Sequence, residues 1–276
     1  MTEVIGREKS FISTLREDKW WIGPLLVLFG LLSFIIYSTW AAWQGEHFWV
    51  GSGGFGGYLS PFYSPTFFID SSIEYPAGTP HALFGEWPDW LLWMPGHSPA
   101  WLILIFPLSF RFTCYYYRKA YYRAFTFSPP ACAVKGIPQK NYKGETGILW
   151  VQNLHRYAMY FAIIFIFLLS YDAVMAFFRN GEFGVGVGSI ILLINPILLG
   201  GYTFGCHSLR HLIGGRMDCF SCSHSAEHAH SRWKIVTYLN RRHQMFAWFS
   251  LVWVGLADVY VRLVSMGVII DLNTWG

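Results

Sequence analysis

The sequence predicts an all-α integral membrane protein. It would be a bundle of five transmembrane helices with a cytoplasmic amino terminus, an external carboxyl terminus and a long aromatic outer loop. Three observations lead there. Of 276 residues, 54% are hydrophobic, 20% aromatic and only 13% charged, against about 25% charged in a soluble domain. The apolar residues gather into runs close to the roughly 20 needed to cross a bilayer as a helix. Finally, 18 of the 20 Lys and Arg residues fall on one side of the resulting topology, the bias that marks the cytoplasmic face. The net charge of +4 then reflects orientation, and nucleic acid is not an expected partner.

The first span, about residues 20–43, follows Arg7, Lys9, Arg16 and Lys19. It is too long for a signal peptide and no small-residue cleavage site follows it. The outer loop, Gln44 to Pro99, contains no Lys or Arg and is rich in Gly, Pro, Trp and Tyr. That composition suits a cap packed at the outer interface. It carries His47, His81 and His97 and no cysteine. The second span, 100–122, is the weakest, since Pro107 and Arg111 interrupt it. A basic inner loop with the stretch Ser128–Gly147 leads to the third span, 154–178. That loop reads equally as a solvated linker and as a dock for a soluble partner or anionic lipid. The fourth span is 187–208 and the fifth 243–266, and the whole chain, 1–276, is expected to form one membrane-anchor domain. Asp258 and Arg262 stand four apart in the fifth span, a spacing that pairs them on one helix face. Asp172 lies at similar depth and is expected to join them.

The inner face gathers the chemistry. The third and fifth spans open with "NLHRY" and "NRRHQ", and the fourth closes with "GCHSLRH". His155, His243, Cys206, His207 and His211 thus share a membrane depth, with Cys219 and Cys222 just beyond. His207 and His211, at i and i+4, share a helix face, as in metal-binding His pairs. The C-x-x-C of Cys219 and Cys222 can clasp one ion through two thiolates. On the cytoplasmic side thiols stay reduced, so structural disulfides are not expected. Cys114 and Cys132 read as ordinary thiols. "SHSAEHAHSRW", with His224, His228 and His230, reads as a solvated loop with at most adventitious metal binding. Tyr157 and Trp248, one turn inside the inner face, offer hydrogen-bond donors beside apolar surface, with core packing as the competing role.

Three groups fit these ligands. Zinc suits a closed Cys/His site but is redox-inert; it would make the chain a non-redox anchor. Haem b needs two facing histidines, which His155 and His243 supply for one haem only. A Rieske-type [2Fe–2S] cluster needs two thiolates and two imidazoles, and the ligand count fits.

Five spans with inner-facing histidines resemble the membrane anchor of respiratory complex II, succinate dehydrogenase or fumarate reductase. "GCHSLRHLIGG", "NRRHQMFAW" and "LADVYVRLVSMGVIIDL" are similar to the actinobacterial class of that anchor. The likeness covers most of the chain from Leu154 onward. It implies a flavoprotein subunit and an iron–sulfur subunit on the cytoplasmic face of a bacterial cytoplasmic (inner) membrane. It also implies a Rieske-type [2Fe–2S] cluster in place of haem, and electron transfer from succinate to quinone, menaquinone by preference. The succinate site would lie in the partners, leaving no catalytic residue here. Four of Cys206, Cys219, Cys222, His155, His207, His211 and His243 would hold the cluster: Cys219 and Cys222 are the first choice for the thiolates, with Cys206 able to replace either, while the four histidines compete for two places; Tyr157 and Trp248 would be the quinone-binding residues.

Overall fold

The computed structural model describes residues 11–51, 56–72, 82–137, 146–215 and 217–275. His81 and the basic residues Arg7, Lys9, Lys140, Lys143 and Arg216, which entered the reading of the loops and of orientation, lie outside that set. Among the described residues the chain is helical. The helices are α1 (Ile22–Gln44), α2 (Ala100–Thr113), α3 (Tyr115–Ala124), α4 (Thr146–Asn153), α5 (His155–Met175), α6 (Val187–Phe204), α7 (His207–Gly214), α8 (His224–Asn240) and α9 (His243–Ser265). Two antiparallel ribbons join them, β1 (Trp49–Val50) with β2 (Tyr58–Leu59) and β3 (Phe178–Arg179) with β4 (Glu182–Phe183).

Among the described residues, four stretches are long and apolar enough to cross a membrane: Ile22–Gln44, Trp150–Met175, Val187–Phe204 and His243–Ser265. The expected second span differs. Cys114 is extended (φ −66°, ψ 130°) and divides 100–122 into α2 and α3. The 14 residues of α2 reach only about 21 Å, short of a bilayer core of roughly 30 Å. Pro107 lies inside α2 without ending it. The break falls where the apolar run gives way to Arg118, Lys119 and Arg123.

The chain divides into two compact units. The first comprises Met1–Ile35 and Arg111–His155. Here the inner loop is no free linker. Its residues near Lys135 exchange backbone hydrogen bonds with the amino-terminal segment, Ile12 N–H to Lys135 O and Lys135 N–H to Ser13 O, both 3.1 Å. The Thr14 hydroxyl donates to Ala133 O at 2.7 Å, and Phe11 meets Phe127 edge-on.

The second unit comprises Ile36–Phe110 and Arg156–Gly276. Its centre is the pairing of α6 with α9. Small residues let the two helices approach: a Cβ on Gly201 would meet the Phe246 ring at 2.5 Å. The Trp253 indole N–H donates to Ile191 O at 3.0 Å across the same interface. The outer loop packs on these helices as expected, through buried Phe48, Tyr58, Phe62 and Tyr63.

The loop also answers the charges in the spans. Asp258 and Arg262 pair at 3.0 Å, both buried. Ser60 and Tyr37 hydroxyls donate to Asp258, and Arg262 also donates to Glu46 O and Ala41 O at 3.0 Å. Asp172 stays outside this cluster, contrary to expectation, and accepts from the Ser64 hydroxyl instead. With the guanidinium already shared among one carboxylate and two carbonyls, the loop hydroxyl serves the remaining acid.

Beyond α6 the chain departs from the sequence reading twice. The fourth span ends at Phe204, so His207 and His211 belong to the separate helix α7. And "SHSAEHAHSRW" enters the 17-residue helix α8. Ser223 caps it, accepting from Ala226 N–H at 3.2 Å. Ala226, Ala229 and Val236 are buried along one face, and Trp233 lies against Gly214 of α7.

Candidate functional site

Helix junctions hold the buried donors. In the first unit, Cys114 sits between α2 and α3, 2% exposed, and His155 opens α5, 8% exposed. Thr113 links them: its buried hydroxyl lies 2.9 Å from His155 Nδ1. That hydrogen bond fixes the ring, so any metal bond from His155 is made through Nε2; metal-ligating histidines are commonly oriented this way.

The second unit repeats the pattern. Cys206 lies between α6 and α7, 1% exposed, with backbone angles (φ −67°, ψ 141°) close to those of Cys114. Its sulfur accepts from Ser208 N–H at 3.4 Å as the N-cap of α7. His243 opens α9; its ring stacks on Tyr202 with centroids 4.8 Å apart, and its Nδ1 is out of reach of solvent. Tyr202, itself 1% exposed, meets Phe110 edge-on. Asn240 completes the junction by donating to Gly205 O at 2.8 Å, one of the carbonyls that a helix end leaves without an intrahelical partner. Both thiols stand at the amino end of a following helix.

The other sequence candidates are placed differently. Cys219 and Cys222, expected reduced, are joined by a disulfide with Cα atoms 5.8 Å apart. The C-x-x-C spacing brings both sulfurs to one point, which serves a disulfide as well as it serves a metal. In the disulfide neither sulfur is a thiolate. His207 and His211 are exposed on α7, and the Arg156 guanidinium lies 3.4 Å from His211 Nδ1, a poor neighbour for a second cation. Tyr157 is 63% exposed and Trp248 half-buried.

By type, two buried thiols and two imidazoles match the donors of a mixed-ligand iron–sulfur cluster. By position, no three His, Cys, Asp or Glu side chains among the described residues converge as a metal-holding group. Cys114 was missed from sequence because a lone thiol in an apolar run carries no motif. Its signal is the helix break, paired with a second at Cys206.

Residues 22–267 match the family described as actinobacterial succinate dehydrogenase subunit SdhC. The chain belongs to that family. Membership makes it a membrane-anchor subunit of a succinate dehydrogenase, and its apolar helices suit a multi-pass membrane protein. This SdhC chain is also similar to a chain of the Mycobacterium smegmatis Sdh1 complex in the apo form, with 41% sequence identity, a TM-score of 0.81 and 98% of each chain covered. No curated protein matches the SdhC chain. The match reaches well before Leu154, so the amino-terminal half, where the sequence resemblance was loose, shares the family too.

Proposed function

We propose that this SdhC subunit carries electrons from a partner iron–sulfur subunit to quinone, menaquinone by preference, through a Rieske-type [2Fe–2S] group bound to its own Cys and His side chains. The observation that supports the reading is that each unit by itself keeps a buried thiol and an enclosed imidazole at helix junctions, Cys114 and His155 in the first, Cys206 and His243 in the second. These are the buried thiols and the most enclosed imidazoles among the nominated donors. Cys219 and Cys222, our first choice from sequence, give way to Cys206 and Cys114 because they are bonded to each other and lie nearer the surface.

Bound by such ligands, the cluster supplies a one-electron carrier of higher potential than an all-cysteine one. The chain's own residues do the rest. Thr113 holds His155 in one orientation, and Tyr202 does the same for His243 by stacking. Burial keeps water from the sulfurs. Tyr157 and Trp248 remain the proposed hydrogen-bond donors to quinone.

On this reading the partners are a flavoprotein subunit, which holds the succinate site, and an iron–sulfur subunit. Both dock on the cytoplasmic face of a bacterial cytoplasmic membrane. The excess of Lys and Arg places the amino terminus on that face and the carboxyl terminus outside.

Iron and acid-labile sulfide analysis of the purified complex tests the ligand set. Cys114→Ser and Cys206→Ser should each remove about two irons and two sulfides per complex, while Cys219→Ser/Cys222→Ser should leave both counts unchanged. Loss confined to the Cys219/Cys222 variant would return the ligands to the C-x-x-C, and a haem Soret band would replace the cluster by haem b.

A further inference from the structure

On the exposed face of α8, His224 and His228 stand at i and i+4 with their Nε2 atoms 3.0 Å apart and their rings nearly perpendicular. Two imidazoles bonded to one metal at about 2.0–2.1 Å, meeting at roughly 90–110°, place their nitrogens about 2.9–3.4 Å apart. The helix therefore already holds the two donors at the bite of a single ion. The carboxylate of Glu227 lies 3.9 Å from His224 Nδ1, on the side of the ring away from the shared point. At that distance it makes no hydrogen bond to the ring and contributes only negative charge near the site.

We infer that His224 and His228 form a bidentate surface site for a divalent transition metal of the imidazole-binding kind, such as Zn2+, Ni2+ or Cu2+. It is separate from the buried donors of the proposed electron path. Two protein ligands leave the remaining coordination positions to water. The site lies on the first turn of α8, whose positive end works against a cation; Glu227 offsets this. Arg232 contributes no metal contact, for its Nε points to His228 O at 3.4 Å. His230 does not take part: its ring stacks on Phe220, centroids 4.6 Å apart. Occupancy ties residues 224 and 228 together and so steadies the helix end that follows the Cys219–Cys222 loop.

The test is Zn2+ uptake by the intact complex, measured by equilibrium dialysis without reductant and followed by metal analysis. Wild type should bind one more Zn2+ per complex than His224→Ala/His228→Ala. Each single substitution should weaken that site about tenfold or more, as expected when one arm of a chelate is lost. His230→Ala and Cys219→Ser/Cys222→Ser should retain it. The first-turn amides of α8 should also exchange more slowly with Zn2+ present, in wild type and not in the double histidine variant. No added uptake by wild type, uptake that survives both single substitutions, or an equal loss in His230→Ala overturns the inference.

Discussion

Asp271, beyond the last span, shows how much one carboxylate can organise. It accepts from the Tyr58 and Tyr260 hydroxyls, each at 2.7 Å, and from Gly188 N–H at 3.0 Å. Arg179 approaches to 3.2 Å, with its guanidinium over the rings of Tyr58 and Trp275. Burial alone would raise the Asp271 pKa, but the hydrogen bonds from Tyr58, Tyr260, Gly188 and Asn273 outweigh it, and the group is held below the ordinary carboxylate range. A lowered folded-state pKa contributes stability that is present above the unfolded pKa of about 3.9 and is lost as pH falls through the folded value. Asp271→Asn should therefore cost about 1–3 kcal/mol at neutral pH. The gap between variant and wild-type unfolding midpoints should be constant from pH 5 to 8, about one unit above that reference upward, and shrink below pH 4, about at it. A gap that does not change with pH would show that the charge of Asp271 contributes nothing. Neither the tyrosines nor Arg179 announce this node in sequence, because they come from three distant segments.

At the scale of elements, what was legible followed from period and composition. The first, third and fifth spans stand within a few residues of their expected places, because uniform apolarity over about 20 residues leaves one structural answer in lipid. Where helices end was harder to read. Cys114 interrupts an apolar run without a Gly or Pro at the break itself, the break at Cys206 is marked only by Gly205, and hydropathy does not sense backbone angles. Helix α8 was hidden differently. Its histidines and serines read as a loop, while Ala226, Ala229, Trp233 and Val236 repeat at steps of three and four. Small alanines make that stripe faint. The α6–α9 contact yields a sharper expectation. A Cβ at Gly201 meets Phe246 at 2.5 Å, whereas at Gly200 the nearest atom is 3.5 Å away. Gly201→Ala should thus be destabilising by about 1–3 kcal/mol and Gly200→Ala neutral or better. Thermal unfolding in detergent separates them. Phe246→Leu should recover part of the Gly201→Ala loss, as contacting residues couple; equal behaviour of the two glycine variants would contradict this packing.

For the whole molecule, function rests on a division of labour between a membrane subunit and the rest of a succinate dehydrogenase. The family was legible in three carboxyl-terminal motifs, and the match across residues 22–267 extends it. The burial that selects the proposed ligands was not legible, since Cys206, His155 and His243 were nominated beside four donors that lie nearer the surface or in the disulfide. Sequence depth put five of the seven at one level and the C-x-x-C just beyond; burial distinguishes them. The most direct measurement of the central claim uses the assembled complex carrying His155→Ala/His243→Ala, with assembly verified by subunit stoichiometry. Succinate-dependent reduction of a soluble dye should continue at the wild-type rate, because the proposed division of labour puts the succinate site in the partner subunits. Quinone reduction should be abolished, while His207→Ala/His211→Ala leaves both activities intact. Normal quinone reduction by an assembled His155→Ala/His243→Ala complex would contradict the account.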